Sequence, residues 1–370
     1  MKNNKNILIV GGGTAGHVLP AIQLSKEFIK DNYNVIFITD SRMFDFVKKN
    51  INSKNINVLC FKGKGFYKGS IFKNIKFIYS LAYAFIQSFN YIIKYRPIIS
   101  YGFGGVITIS PIIVSKFFKI PIILHEGNIV LGKANKLLYK YANILTTFFP
   151  ILDNNSNNLY NYKYIGMPVR KEIENIYKNK YEIKNNKLIN ILITGGSLGA
   201  EVMATNIATA LCCFPKEFRN KISILQQVRE ENYSYLKKLY DHSLINYKLE
   251  TYIKNMPESL NWCHLIICRS GAGTIAENLV AGRPSIMIPL PSSSDNHQMK
   301  NALMIEKLGA GLVIRNNEIN DQNKLIFKLK SIIFNSERLC MMSKSAKNNS
   351  ILGAEKKLVN LGKEILNAKN

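Results

Sequence analysis

The chain has 370 residues, too many for one ordinary hydrophobic core, which predicts two domains or one large α/β domain. Apolar residues make up 47% of the sequence and argue against wholesale disorder. The formal charge of +26 is typical of proteins that meet nucleic acid, anionic lipid or acidic substrates, although the abundance of Asn, Lys, Ile and Tyr indicates that an AT-biased genome contributes part of it.

The first predicted unit is a buried strand, a glycine-rich loop and a helix. The strand covers residues 7–10, the loop residues 11–16, and the helix starts near His17. A second strand follows at residues 34–39 and is closed by Asp40, and a further strand at residues 121–124 ends at His125 and Glu126. Alternating strands and helices predict a doubly wound parallel sheet.

A long amphipathic segment separates these strands. It starts with basic and aromatic residues and continues as a helix with one polar stripe, within residues 62–94. One interpretation is a core helix packed on the sheet. The other is a patch that touches an anionic bilayer, and the residues predicted for it are Lys73, Lys76, Phe77, Leu81 and Phe85.

The opening pattern then recurs in the second half. Residues 152–163 are polar and rich in Asn, as expected near a domain boundary, and residues 164–170 are the predicted linker. A strand at residues 191–194 leads into a second glycine loop, and a third loop follows the strand at residues 265–267. We therefore predict two Rossmann-like domains, 1–163 and 164–352, with a C-terminal helix at about 353–370 that packs back on the first.

The chain is predicted to stay in a reducing compartment without crossing a membrane. The apolar run at its start stops at Gly11, too early for a secretory signal, and no stretch reaches the ~18 apolar residues of a transmembrane helix. The six cysteines form no C-x-x-C pair and are predicted to be free thiols, mostly buried.

Glycine loops after parallel strands are suited to phosphate groups. The backbone can approach a ligand closely, and the next helix presents free N–H groups with a partial positive charge. The first loop also matches the G-x-G-x-x-G of dinucleotide enzymes, with Asp40 placed as a ribose acid, so an NAD- or FAD-dependent oxidoreductase is a rival interpretation. A P-loop ATPase is disfavoured, because Ala134 stands where the motif needs a hydroxyl. The sequence has no D-x-D, so we predict no metal ion and no cofactor.

Seven motifs, in order, resemble the MurG family of UDP-N-acetylglucosamine:undecaprenyl-pyrophosphoryl-MurNAc-pentapeptide N-acetylglucosaminyltransferases. They are GGGTAGHVLPA, GFGGVITISP, HEGN, GMPVR, GGSLGA, CRSGAGTIAE and DNHQMKNA, spread from residue 11 to residue 302. Two positions depart from the family pattern: Ala15 replaces a glycine, and Gly127 replaces the glutamine of HEQN.

The resemblance implies a GT-B fold, with the active site in the cleft between the two domains. It implies inverting transfer of N-acetylglucosamine from UDP-N-acetylglucosamine to the C4 hydroxyl of MurNAc in lipid I, which gives lipid II and UDP during peptidoglycan biosynthesis. The partners implied are UDP-N-acetylglucosamine, lipid I, an anionic membrane surface, and proteins of the cell wall and of cell division. No nucleic-acid recognition motif accompanies the basic and aromatic residues, so we predict no nucleic-acid partner. The implied location is peripheral, on the cytoplasmic face of the inner membrane.

The resemblance also implies a set of substrate-binding residues. Arg170 and Ser197 approach the diphosphate, Ile253 meets the uracil through its backbone, Glu277 binds the ribose and Gln298 the sugar. The full predicted set is Thr14, Ala15, Gly16, Asn128, Arg170, Ser197, Ile253, Ala272, Gly273, Thr274, Ile275, Ala276, Glu277 and Gln298.

The reaction needs a base for the acceptor hydroxyl, and His17 is our first candidate. Its ordinary pKa near 6.5 leaves a neutral fraction at pH 7, and its place at a helix start favours the neutral form. A role limited to orienting substrate or capping the helix stays open, and His125 with Glu126 is the alternative catalytic pair. Related UDP-sugar enzymes of the same fold, such as an epimerase or another lipid-sugar transferase, also stay open.

Overall fold

A computed structural model describes residues 5–61, 71–150, 162–183, 188–195 and 200–368. The chain divides into two compact units, residues 1–169 with 353–370, and residues 170–352. The sequence-based boundary between residues 163 and 164 falls slightly earlier. Residues 162–164 form a strand of the first sheet, so the chain leaves the first unit only after that strand.

The first unit is built on a parallel sheet in which every neighbouring pair of strands runs in the same direction. Its order is β3-β2-β1-β4-β5-β6-β7. The strands are β1 Asn6–Val10, β2 Asn34–Asp40, β3 Ile56–Phe61, β4 Ile99–Gly102, β5 Ile122–Glu126, β6 Ile144–Thr147 and β7 Tyr162–Tyr164. The strand predicted at residues 121–124 extends two residues further, so His125 and Glu126 belong to the strand itself.

Helices cover both faces of this sheet, as crossover connections between parallel strands require. They are α1 Ala15–Lys30, α2 Phe44–Asn50, α3 Ile71–Tyr95, α4 Ile109–Phe117 and α5 Lys133–Leu138. Buried residues of β1 and β2 alternate between two clusters: Ile7 and Ile9 pack with α1, while Leu8 and Val10 pack towards α3. The centre of the sheet is therefore buried on both faces, which explains the nearly continuous apolar sequence of β1 and β2.

The second unit repeats the design with six parallel strands in the order β10-β9-β8-β11-β12-β13. The strands are β8 Ile189–Thr194, β9 Ile222–Gln227, β10 Asn246–Glu250, β11 Leu265–Cys268, β12 Ser285–Met287 and β13 Gly311–Val313. In both sheets, the first strand of the unit lies beside the fourth, which is the switch point where ligands bind in open α/β sheets.

Ten helices of the described chain belong to the second unit. They are α6 Lys171–Ile176, α7 Ala200–Cys212, α8 Lys216–Arg219, α9 Glu230–Ser243, α10 Met256–Trp262, α11 Ala272–Val280, α12 His297–Lys307, α13 Asn316–Ile319, α14 Gln322–Ile333 and α15 Ser336–Asn348. The largest core cluster packs α7, α9 and α14 against β8, β9 and β11.

The last helix, α16 Ala354–Asn367, returns to the first unit and packs on α1. Leu358 and Val359 enter the core cluster of α1, and the Tyr101 hydroxyl donates to the Leu358 carbonyl at 3.1 Å. Lys363 pairs with Asp31 at the end of α1, at 2.8 Å. None of the described helices is both long and apolar enough to cross a bilayer.

Gly362 of α16 should tolerate no side chain. A Cβ at this position would lie 1.9 Å from the Tyr101 hydroxyl oxygen, so we expect Gly362→Ala to lower the free energy of unfolding by about 1–3 kcal/mol through overpacking. Denaturant unfolding measures it. The Tyr101→Phe background removes the nearest atom, and an undiminished penalty in that background would contradict the packing argument.

Candidate active site

The turn between β1 and α1 positions His17. The strand ends at Val10, Gly13 takes a positive φ of 86°, and α1 begins at Ala15, so His17 lies in the first helical turn, half-buried. Its Nδ1 lies 3.0 Å from the Gly12 carbonyl oxygen. A carbonyl oxygen can only accept, so Nδ1 carries the hydrogen and Nε2 of the neutral ring keeps a lone pair.

The loop after β4 forms a wall beside this imidazole. Gly104 and Gly105 have φ values of 92° and 85°, which favour glycine. A Cβ on Gly104 would lie 3.3 Å from His17 Nε2, and one on Gly105 would lie 2.9 Å from the Gly12 carbonyl oxygen. The two last glycines of the GFGG motif are therefore explained by packing, because any side chain there would press on His17 or on the Gly12 carbonyl.

The Asp40 carboxylate is hydrogen-bonded to other residues of the chain. Its carboxylate accepts a hydrogen bond from the Gly13 backbone N–H at 2.5 Å and pairs with the Arg42 guanidinium at 3.1 Å. The oxidoreductase interpretation needed this acid to bind a ribose. Its engagement with the glycine loop and with Arg42 removes the main support for that interpretation.

His125 is a neutral, buried histidine. Only 2% of its surface is exposed, and burial, with a smaller contribution from the charge of His17, lowers its pKa from 6.5 to about 3. The Thr146 hydroxyl donates to the Leu124 carbonyl at 2.9 Å, so it accepts from His125 Nδ1 at 3.0 Å. In the described part of the chain, the Nε2 of His125 has no hydrogen-bond partner.

Glu126 organises the loop that follows β5. One carboxylate oxygen accepts from the backbone N–H and the side-chain amide of Asn128, at 2.9 and 3.1 Å. The other accepts from the Gly132 N–H and the Asn135 amide, both at 2.9 Å. This geometry suits a positioning role, and the catalytic assignment of His125 and Glu126 stays a prediction.

The remaining predicted residues of the first unit lie beside His17 along the same turn. Thr14 and Ala15 are exposed, and Gly16 is half-buried. Asn128 is half-buried at the end of the neighbouring β5, and Asn135 links this loop to the Gly104 wall, because its amide nitrogen would lie 3.7 Å from a Cβ on Gly104. The structure therefore brings these candidates to the carboxyl ends of β1 and β5, with the glycine loop of β4 between them.

In the second unit, two predicted donor-site residues bind each other. The guanidinium of Arg170 donates from Nε and Nη2 to the two carboxylate oxygens of Glu277, at 2.8 and 2.7 Å. The side chains are 27% and 13% exposed. Bidentate geometry and partial burial make this a stronger pair than an ordinary surface ion pair. Sequence reasoning gave the two residues separate ligand contacts and missed their mutual contact.

Helix α11 carries the third glycine loop and divides its predicted residues by face. Ala272, Ile275 and Ala276 are buried, so their side chains pack in the protein interior and only their backbone can meet a nucleotide. Gly273 and Thr274 are half-exposed and lie within one turn of Glu277. A ligand at this helix start would therefore contact backbone N–H groups and few side chains.

The start of α12 is attached to the same loop. The Ser270 hydroxyl donates to the Gln298 carbonyl at 2.8 Å, and the Asn301 amide donates to the Ser270 carbonyl at 3.2 Å. The Gln298 side-chain oxygen accepts from the Leu290 N–H at 3.0 Å, so the donor that this side chain can offer to a ligand is its NH₂ group. Gln298 is thus held near α11 by structure that the motif spacing did not predict.

Two predicted donor residues stand apart. Ser197 lies outside the described residues, although the preceding Gly195 is buried at the end of β8. Ile253 is 5% exposed and lines a cavity of about 680 Å³ along β9, β10 and α10. None of the other predicted substrate-binding residues that the structure describes lines this cavity, so we do not place the donor in it.

The described part of helix α3 exposes an apolar patch, and two of the five residues predicted for membrane contact can be compared with it. Phe85 packs against the core and Leu81 is half-buried, while the side chains of Lys73, Lys76 and Phe77 lie outside the described part. Ser88 and Ile92 are buried and mark the side of α3 that faces the core. Other apolar residues of the helix therefore lie on its exposed side. The exposed apolar patch consists of Tyr79, Tyr83, Ile86, Phe89, Ile93, Phe117 and Phe118.

No group of three or more His, Cys, Asp or Glu side chains suited to a metal ion occurs among the described residues. Whether the reaction needs a metal ion or a cofactor is not tested by this finding, and its independence of both stays a prediction.

Comparison with known proteins identifies relatives over nearly the whole chain. Residues 7–146 match the glycosyltransferase family 28 N-terminal domain, and residues 190–358 match the family 28 C-terminal domain. UDP-N-acetylglucosamine--N-acetylmuramyl-(pentapeptide) pyrophosphoryl-undecaprenol N-acetylglucosamine transferases are 31% identical in Buchnera aphidicola (96% of this chain, 98% of the relative) and in Francisella tularensis (99% of each). The crystal structure of Acinetobacter baumannii MurG superposes with a TM-score of 0.75 at 24% identity, covering 97% of this chain and 99% of that one. The predicted GT-B class with two Rossmann-like domains is confirmed.

His125 should make the first unit sensitive to acid. Its pKa is lowered in the fold, so the unfolded chain takes up a proton below pH 6.5 that the folded chain does not, and stability falls as pH drops towards 3. We expect the His125 contribution to cost about 2 kcal/mol between pH 7 and pH 5.

Denaturant unfolding at both pH values checks this. The pH dependence should be smaller in His125→Gln and unchanged in His242→Gln, whose histidine is exposed. Equal pH dependence in all three proteins would refute the assignment.

Proposed function

The chain belongs to the MurG family of UDP-N-acetylglucosamine-dependent transferases, and from this membership we propose how its own residues carry out transfer of N-acetylglucosamine to lipid I. The enzyme is a glycosyltransferase of peptidoglycan biosynthesis. We assign the base to the first unit and the donor-binding groups to the second. The reaction proposed is inverting transfer to the C4 hydroxyl of MurNAc, giving lipid II and UDP.

The observation that carries the assignment of roles is the contact between His17 Nδ1 and the Gly12 carbonyl oxygen, from which the tautomer follows. Its Nδ1–H is bound to the Gly12 carbonyl, so Nε2 is the basic atom, held against the Gly104 wall at the start of α1. As the acceptor oxygen attacks the anomeric carbon, its proton passes to Nε2. The bond between that carbon and the diphosphate oxygen breaks, and UDP leaves with the bonding electrons.

The second unit is suited to the leaving group. Arg170 uses Nε and Nη2 to hold Glu277, so we assign Nη1 to a phosphate oxygen and the oriented Glu277 carboxylate to the ribose hydroxyls. The start of α11 contributes backbone donors and a partial positive charge to the growing negative charge on UDP. Gln298 is assigned to the sugar through its NH₂ group.

A lipid-linked acceptor requires the enzyme to reach the bilayer, and the exposed apolar patch supports this. Phe89 packs beside Phe117 and Phe118, with ring centroids 6.3 and 5.1 Å away, so α3 and the end of α4 form one continuous surface. Exposed Lys94, Lys116 and Lys119 lie beside these aromatic residues in sequence and add the charge that anionic headgroups attract. The inner-membrane location and the division partners remain predictions.

Replacing His17 should stop the transfer without releasing the donor. We expect His17→Gln to lower the turnover number at least tenfold, since general base catalysis is worth ~10²–10⁴-fold, with the affinity for UDP unchanged. The assay is UDP release that depends on a lipid I analogue, paired with calorimetric titration of UDP. His242→Gln is the surface control. Undiminished turnover in His17→Gln would remove its catalytic role, and UDP-sugar turnover without need of lipid I would indicate a related UDP-sugar enzyme.

Membrane binding should depend on the exposed apolar patch. The double variant Tyr83→Ser with Ile86→Ser is expected to bind phosphatidylglycerol-containing vesicles about tenfold more weakly, because less apolar area is buried in the interface. Vesicle flotation measures this. The matched control is Phe327→Ser on α14, whose ring is 75% exposed in the second unit. Equal losses in both proteins, or none in the double variant, would count against the patch.

A further inference from the structure

The peptide group that joins Gly12 to Gly13 is hydrogen-bonded at both ends to titratable side chains. Its carbonyl accepts from His17 Nδ1 at 3.0 Å, and its N–H donates to Asp40 Oδ2 at 2.5 Å. A carboxylate, one peptide group and an imidazole therefore form a continuous chain of hydrogen bonds.

The surrounding backbone is shaped to keep this chain intact. A Cβ on Gly12 would lie 3.0 Å from Asp40 Oδ2 and 2.9 Å from Ile107, and one on Gly105 would lie 2.9 Å from the Gly12 carbonyl oxygen. Gly13 holds a φ of 86°. Three glycines at one peptide group thus let the carboxylate and the imidazole approach it from opposite sides.

We propose that Asp40 is a positioning residue that acts on His17 through the Gly12–Gly13 peptide group. When Nε2 takes the acceptor proton, the ring becomes a cation, and its Nδ1–H donates more strongly to the Gly12 carbonyl. The carboxylate polarises the same peptide group from its N–H end, so the two hydrogen bonds strengthen each other. Asp40 stabilises the protonated base without touching it. This inference rests on the proposed role of His17 as the base.

Arg42 moderates the effect. Its guanidinium pairs with the Asp40 carboxylate at 3.1 Å, its backbone N–H donates to the same group at 3.0 Å, and its side chain is 71% exposed. Water weakens the field of such an exposed cation. The Arg42 charge therefore cancels only part of the effect that the Asp40 carboxylate has on the peptide group. Removing the Asp40 charge and removing the Arg42 charge should therefore change His17 in opposite directions, which a purely structural role for the two residues does not predict.

Further titratable groups of the described residues lie on the elements next to α1. β5 contributes His125, which is neutral at working pH, and Glu126, which is bound to Asn128, Gly132 and Asn135. The adjacent α2 contributes exposed Asp45, Lys48 and Lys49. The charges where α16 packs on α1, Lys363 with Asp31, lie at the far end of that helix.

The test compares Asp40→Asn, Arg42→Gln and the control Asp45→Asn, which also loses one negative charge but from α2. In the full chain, the His17 ring signals are followed by NMR across pH, and lipid I-dependent turnover is measured over the same range. Asp40→Asn should move the His17 titration midpoint and the acid limb of turnover to lower pH by roughly half a pH unit. Turnover should fall about three- to tenfold. Arg42→Gln should move both midpoints to higher pH, and Asp45→Asn neither.

Midpoints that shift the same way in Asp40→Asn and Arg42→Gln, or that do not shift, would overturn the inference. The NMR arm needs no substrate, so it stands even if His17→Gln keeps full turnover and the proposed base fails. Conversely, loss of turnover in His17→Gln together with unchanged His17 midpoints in Asp40→Asn and Arg42→Gln would support His17 as the base and contradict the role of Asp40. If Asp40→Asn fails to fold, Arg42→Gln alone decides by the direction of its midpoint.

Discussion

The turn at the end of β1 is the constraint on which the chemistry of the first unit depends. Parallel strands deliver their carboxyl ends to one edge of the sheet, and β1, β4 and β5 each place a polar or glycine-rich segment there. The Gly12 carbonyl selects one tautomer of His17, and the backbone at Gly104 lies directly against its ring. The glycines of the first two motifs serve this geometry as much as any ligand.

The same strand–loop–helix structure occurs in both units, but the hydrogen bonds around its loop differ between them. In the first, an internal carboxylate occupies the N–H of Gly13, so the glycine loop is partly satisfied by the protein itself. In the second, α11 begins with backbone donors near an oriented Arg170–Glu277 pair. The same strand–loop–helix structure therefore does not imply the same ligand. What each loop can bind depends on which of its backbone N–H groups are already hydrogen-bonded within the protein.

Much of the fold could be predicted from the sequence because apolar runs and glycine loops mark buried parallel strands directly. The strands around Ile7, Ile36 and Leu192 lie where the pattern places them. Contacts between side chains distant in sequence could not be predicted in this way. Arg170 and Glu277 are 107 residues apart, and Asp40 reaches Gly13 across 27, so neither pairing leaves a periodic signal. Which residues of α3 face outwards could not be predicted either, because Tyr and Phe occur all round that helix and only packing decides which of them are buried.

The return of α16 to the first unit means that the chain passes between the units twice, after Val169 and after Leu352. A fragment ending at Val169 would lack the helix whose Leu358 and Val359 cover α1, and a fragment starting at Arg170 would carry that helix with its apolar face bare. Neither half can therefore be isolated by a single cut. Separate study of the His17-bearing unit calls for a circularly permuted gene, or for residues 353–370 supplied as a fused segment.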